Sequence, residues 1–157
     1  MGWYDFALWL HVIGACVLLG TGSGIAFFMV MAHRTRKARL VAHVASTVVV
    51  ADFLFTATAV IAQPLTGLWL ASITGLPLDT PWLVLSMALY GLTGLFWLPV
   101  VWIQIRMRDI ARKALQDDVV LPQAYYRFFH VWFACGIPAF AAVLLIVWLM
   151  LSKPPLW

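Results

Sequence analysis

Two ionisable side chains, His11 and Asp52, interrupt stretches of sequence that are otherwise apolar enough to cross a bilayer. Such groups are costly in hydrocarbon, so they face a bundle interior or a cavity and are functional candidates by default. Imidazole is a common axial ligand of haem iron, and Gly14, close behind His11, lets a flat ligand or a neighbouring helix approach. His11 therefore has two readings, a structural hydrogen bond or a haem ligand, and its second ring nitrogen wants an acceptor such as a backbone carbonyl or Gln63. Asp52 is either a neutral carboxyl that hydrogen-bonds across helices, a proton relay to a redox centre, or the counter-charge of a cationic substrate.

Projection at about 100° per residue gives each apolar segment one polar or small-residue stripe. The first carries Tyr4, His11, Ala15, Gly22 and Met29. The second carries Asp52, Thr56, Ala59 and Gln63, and the third Ser86, Tyr90, Thr93, Trp97 and Gln104. The fourth carries Gln123, His130, Ala134, Ala141 and Trp148. Stripes of this kind pack inward in membrane bundles, because small residues permit close approach and polar ones avoid lipid. The expected layers are His11 with Gln63, Ser86 and Tyr90 towards one boundary, Asp52 near the middle with Leu18, Gly22 and Thr93, and His130 with Arg127 and Gln104 towards the other. Asp52 and Tyr90 are the candidate catalytic residues. His11, Gly14, Gln63, Trp97 and His130 are the candidate cofactor-binding residues, with His11 as the metal ligand. His33 is expected to be solvated in a basic loop, and His43 falls on another helix face.

The elements that position these groups follow from length and composition. Of 157 residues, 64% are hydrophobic and 10% are charged, against roughly a quarter charged in soluble domains. A water-soluble chain of this size could not hide so much apolar surface in one core. Crossing the hydrocarbon takes about 20 helical residues, and four helices are predicted, over about 4–33, 37–62, 81–112 and 122–152. The fold class is thus all-α, a polytopic transmembrane four-helix bundle in one domain. The first segment lacks the basic start and short apolar run of a signal peptide, so it is read as a retained helix.

Positive charge sets the orientation. Arg34, Arg36, Lys37 and Arg39 occupy the first connection and Arg106, Arg108, Arg112 and Lys113 the third, whereas the middle connection has only Asp79. The positive-inside rule places both basic loops in the cytoplasm and both termini on the outer side, which for a bacterial inner membrane is the periplasm. The net charge of +4 is a topology signal and not a mark of nucleic-acid binding. Trp3, Trp9, Trp69, Trp82 and Trp157 fall near the predicted outer boundary, where tryptophan is favoured. Pro64 is expected to end the second helix after Gln63, with Asp79 or Thr80 capping the third and Pro81 in its first turn. Pro99 and Pro138 are expected to kink their helices. Cys16 and Cys135 are isolated within apolar segments, so no disulfide is expected.

The runs Leu10-His11-Val12-Ile13-Gly14, Gln63-Pro64-Leu65-Thr66-Gly67-Leu68-Trp69, Thr80-Pro81-Trp82 and Trp97-Leu98-Pro99-Val100-Val101-Trp102-Ile103-Gln104 together resemble a bacterial family of predicted integral membrane proteins without assigned function. More distantly, a first-helix histidine closely followed by glycine is similar to HemJ-type protoporphyrinogen oxidases and to the membrane domain of CopD-type copper-resistance proteins. The HemJ resemblance implies haem b on His11. Its Pro-Arg pair and further histidine are replaced here by Phe28-Met29-Val30-Met31-Ala32-His33-Arg34, so the resemblance carries haem binding and not the oxidase reaction.

Two classes of function follow. One is a membrane haem protein exchanging electrons with a quinone or small oxidant, the cofactor supplying the redox step. The other is a non-enzymatic protein, either an accessory subunit of a membrane complex or a small transporter whose inward stripes line a path. In both, the bilayer is the solvent and self-association or assembly into a complex is expected.

Overall fold

The computed structural model describes residues 2–156, and Trp157 of the expected aromatic belt lies outside them. Four helices long and apolar enough to cross a membrane make up the chain: α1 (Trp3–Thr35), α2 (Ala38–Thr74), α3 (Pro81–Gln116) and α4 (Gln123–Ser152). Large apolar side chains such as Leu95, Ile61 and Leu151 are exposed all around the bundle, as they are when lipid replaces water. The lysines and arginines other than Lys153 gather at one end of the bundle, here the basic end. Trp3, Trp9, Trp69 and Trp82 lie towards the other.

The second helix departs from its predicted bounds. At 37 residues it is about 55 Å long at 1.5 Å per residue, and it continues unbroken past Pro64. What stops it is Gly75, whose φ of 65° is left-handed. Leu76 N–H then bonds the Ala71 carbonyl at 3.0 Å, the six-to-one closure of a Schellman motif. Pro64 survives mid-helix because the carbonyl it orphans is taken over. Proline has no N–H to give to the residue four back, which is Val60, and Val60 O accepts a hydrogen bond from the Tyr90 hydroxyl of α3.

A second irregularity is a widened π turn over Asp52–Thr56, where Ala57 N–H reaches back to Asp52 O. Such turns insert one residue into a helix and are frequent at functional sites. On its basic-end side, α2 packs on α3. Beyond the turn it packs on α1 and almost leaves α3. The most extensive contact in the bundle is between α3 and α4, and α1 meets α4 only sparsely. The chain therefore forms two pairs, α1 with the far part of α2 and α3 with α4, joined by the basic-end part of α2.

The apolar core lies in that joined half. It includes Met29, Val41, Met107, Ala111, Tyr125 and Phe129, drawn from all four helices. Arg112 Nε also donates to Ser46 Oγ at 3.1 Å there. At the opposite end Thr80 caps α3 with Pro81 at its first position, Asp5 accepts the Gly2 N–H at 2.9 Å, and Trp82 is covered by the Lys153 ammonium 5.8 Å from its ring centre. Both cysteines are free.

The link between Pro64 and Tyr90 is open to a double-mutant cycle. Tyr90→Phe should cost about 1–2 kcal/mol in detergent unfolding, since it strands a carbonyl that has no other donor. In a Pro64→Ala background, where an N–H returns to Val60, the same substitution should be close to neutral. Equal costs in the two backgrounds would contradict the link.

Candidate functional site

The gap between the two helix pairs is a chamber of about 510 Å³. Ala15, Leu18, Gly22 and Ile25 of α1, Asp52, Thr56, Val60 and Gln63 of α2, Tyr90, Thr93, Trp97 and Gln104 of α3, and Trp132, Phe133, Gly136 and Phe140 of α4 are among its walls. Ile25 and Trp132 also belong to the apolar core, so they form the floor towards the basic end. Gly22, Gly94 and Gly136 line it, and a methyl group added at any of them would meet nothing within 4 Å. These glycines create volume. Phe133, Ile137 and Phe140 line the chamber and are also exposed on the bundle surface, so the chamber opens to the surrounding bilayer beside α4, where α1 hardly reaches it.

Among the described residues Asp52 is the only ionisable carboxyl in the wall, and it is 3% exposed. Trp97 Nε1–H points at Oδ1 from 3.3 Å. Gln104, equally buried, is held by two opposite demands: with its amide nitrogen towards Asp52 it donates to Oδ2 at 3.2 Å, and its oxygen then accepts the Trp132 indole N–H at 3.1 Å. Both carboxyl oxygens thus receive an N–H, an arrangement suited to an acceptor-only carboxylate. No Lys, Arg or His lines the chamber. Thr56, one turn along from Asp52 and also buried, keeps a hydroxyl without a partner facing the same space.

His11 belongs to a different place. Its Nδ1 lies 2.9 Å from Thr66 Oγ1, while that hydroxyl donates to the Ala62 carbonyl at 2.8 Å. With the hydroxyl proton given to that carbonyl, the matching tautomer carries its hydrogen on Nδ1 and its lone pair on Nε2. Gly67 sits beside the ring, where a methyl group would come within 3.3 Å of Cε1. Gln63 Nε2 donates to the His11 carbonyl at 2.7 Å, and Gly14 leaves the room that this amide fills. His11, Gly14, Gln63, Thr66 and Gly67 therefore fasten α1 to the far part of α2, and only Gln63 of them also touches the chamber.

The structure thus brings Asp52, Gln63, Tyr90 and Trp97 together at the chamber and leaves His11 and Gly14 at the neighbouring helix contact. His130 is a correction. It is exposed, and its Nδ1 is paired with the Tyr126 carbonyl of its own helix at 2.6 Å, so it meets neither Gln104 nor the chamber. The predicted inward stripe of α4 fails with it, since Gln123, Ala134 and Trp148 are exposed. The buried face is instead Tyr125, Phe129, Trp132, Ala142 and Leu149, because bulky knobs fill the groove against α3 and lipid imposes no cost on which apolar face turns out. His33 is not solvated either: its ring stacks on Phe129 at 3.5 Å and an interplanar angle of 6°. Gln104 and Trp132 are site residues that the stripes did not single out together, since the tie between them is made across two helices.

Taken together, the four candidate spans define a polytopic α-helical membrane protein, and the chamber lies between them. The chain belongs to the family described as predicted integral membrane protein (DUF2269), whose model matches residues 6–154. No curated protein and no solved structure matches it, and the more distant likeness to HemJ and CopD types is not shown.

Gln104→Ala tests the chamber's wiring. It removes the partner of Trp132 N–H and of one Asp52 oxygen together, so unfolding in mild detergent should show a loss of about 2–3 kcal/mol. Removal of Arg127, which is exposed, should leave the midpoint in place.

Proposed function

We propose that the protein is a small membrane carrier for lipophilic organic cations, which it holds in the chamber against Asp52. The reading rests on one observation: a buried carboxyl group lines an aromatic, largely apolar chamber that contributes no positive charge of its own. An ionised carboxylate buried without a cation is strongly disfavoured, so a cation that enters the chamber supplies what the protein omits. Tyr90, Trp97, Trp132, Phe133 and Phe140 add the faces on which a desolvated cation is held by ring quadrupoles. The lateral opening beside α4 suits a ligand that partitions into the bilayer first. Under the positive-inside orientation the floor of the chamber lies towards the cytoplasm.

Binding of tetraphenylphosphonium to the detergent-purified protein checks this. Asp52→Asn should weaken it about tenfold or more, a loss of about 1.4 kcal/mol. Gly136→Leu, whose β-carbon would meet nothing within 4 Å, fills chamber volume and should abolish binding while the melting midpoint holds. Equal affinity for the neutral isostere tetraphenylmethane would sink the counter-charge role of Asp52.

Haem binding through His11 is the second reading, with electron exchange to a quinone or small oxidant. The observation in its favour is the Nδ1 contact with Thr66, which orients the ring as a hydrogen bond on the other nitrogen orients haem- and metal-ligating imidazoles. The lining of the chamber contains no histidine, so this reading puts the cofactor outside it. Bound haem would supply one-electron chemistry, with His11 holding it and Thr66 orienting the ring. A reduced-minus-oxidised spectrum of protein from cells fed a haem precursor should then show sharp α and β bands that His11→Ala loses, and a colourless wild type would refute it.

A further inference from the structure

We infer that a proton and the organic cation are alternative occupants of Asp52, so that the chamber exchanges one for the other. The inference rests on the carrier reading and extends it from binding to coupling. Its basis is charge balance in the chamber. Around the Asp52 carboxyl, α1 presents Leu18 and Gly22, α3 presents Tyr90, Trp97 and Gln104, and α4 presents Trp132. None of these is cationic and none is a second acid. Tyr90 is the one other titratable group, and its hydroxyl proton is committed to the Val60 carbonyl. A single charge change at Asp52 therefore has no compensating group within the walls, and low-dielectric surroundings make an uncompensated charge expensive. The empty chamber carries its balancing positive charge as a proton on the carboxyl. The loaded chamber carries it on the ligand.

The step is a stoichiometric exchange in which no covalent bond changes except the carboxyl O–H. The protonated carboxyl of Asp52 loses H⁺ to bulk water, its bonding pair stays on oxygen, and the cation takes the proton's place as counter-charge. Thr56 is built for both states. Its buried, unpartnered hydroxyl can accept from a protonated carboxyl and, once rotated, donate to an ionised one. The fixed indole N–H of Trp97 can only donate, so it favours the loaded state.

Tetraphenylphosphonium added to wild-type protein in weakly buffered detergent, with a pH indicator present, should release about one proton per cation bound at a pH where the empty carboxyl is protonated. Across that range apparent affinity should fall about tenfold for each unit of acidification, as one linked proton requires. Counted per cation bound, and whatever the affinity, Tyr90→Phe and Asp52→Glu should each still release about one proton. Stoichiometric binding with no proton released, in the wild type or in Tyr90→Phe, overturns the exchange while leaving the carrier reading in place. Absence of binding overturns both.

Discussion

The widened turn at Asp52–Thr56 decides which helices meet. Before it, α2 shares the apolar core with α3. After it, the helix follows α1 and leaves α3, and the space between the two courses is the chamber. A regular α2 would keep one face against one neighbour for its whole length. The inserted residue changes that face and places Asp52 and Thr56 at the point of divergence. The residue that carries the charge and the irregularity that makes room for it are the same few positions.

Inside a bilayer, every polar group set free by such irregularities needs a partner within the protein. The partners here are unusually economical. Pro64 orphans a carbonyl and Tyr90 takes it. Gly14 and Gly67 remove side chains, and Gln63 and His11 occupy the places left. Gln104 serves an acid with one end of its amide and an indole with the other. The unbalanced member of this network is the Asp52 carboxyl, which has no Lys, Arg or His beside it in the chamber wall.

Much of this was legible in the sequence, and the misses have physical causes. Four apolar spans are visible by length alone, and the third-helix stripe from Tyr90 to Gln104 faces the chamber because its polar members have nowhere else to go. Pro64 misled because proline is a stop signal only where no one supplies its missing hydrogen bond, and Tyr90 lies on another helix. The true terminator was present as Gly75 with Pro77 behind it, the usual punctuation of a helix end. For His11 a structural hydrogen bond was one of the two legible readings, but its partner Thr66 was not, since that residue lay beyond the expected end of the helix. On α4 a polar stripe pointed the wrong way because bulky residues at Tyr125, Phe129 and Trp132 decide packing in lipid. The π turn has no composition of its own in Asp52-Phe53-Leu54-Phe55-Thr56, so nothing local announced it.

The uneven distribution of the core has a mechanical consequence. Adhesion concentrated at the basic end makes that end a pivot, and the two helix pairs extend from it like the jaws of pliers. Lateral pressure in the bilayer would act on those jaws with the leverage of their length, against the tie that the Tyr90 hydroxyl makes across the throat to a proline-freed carbonyl.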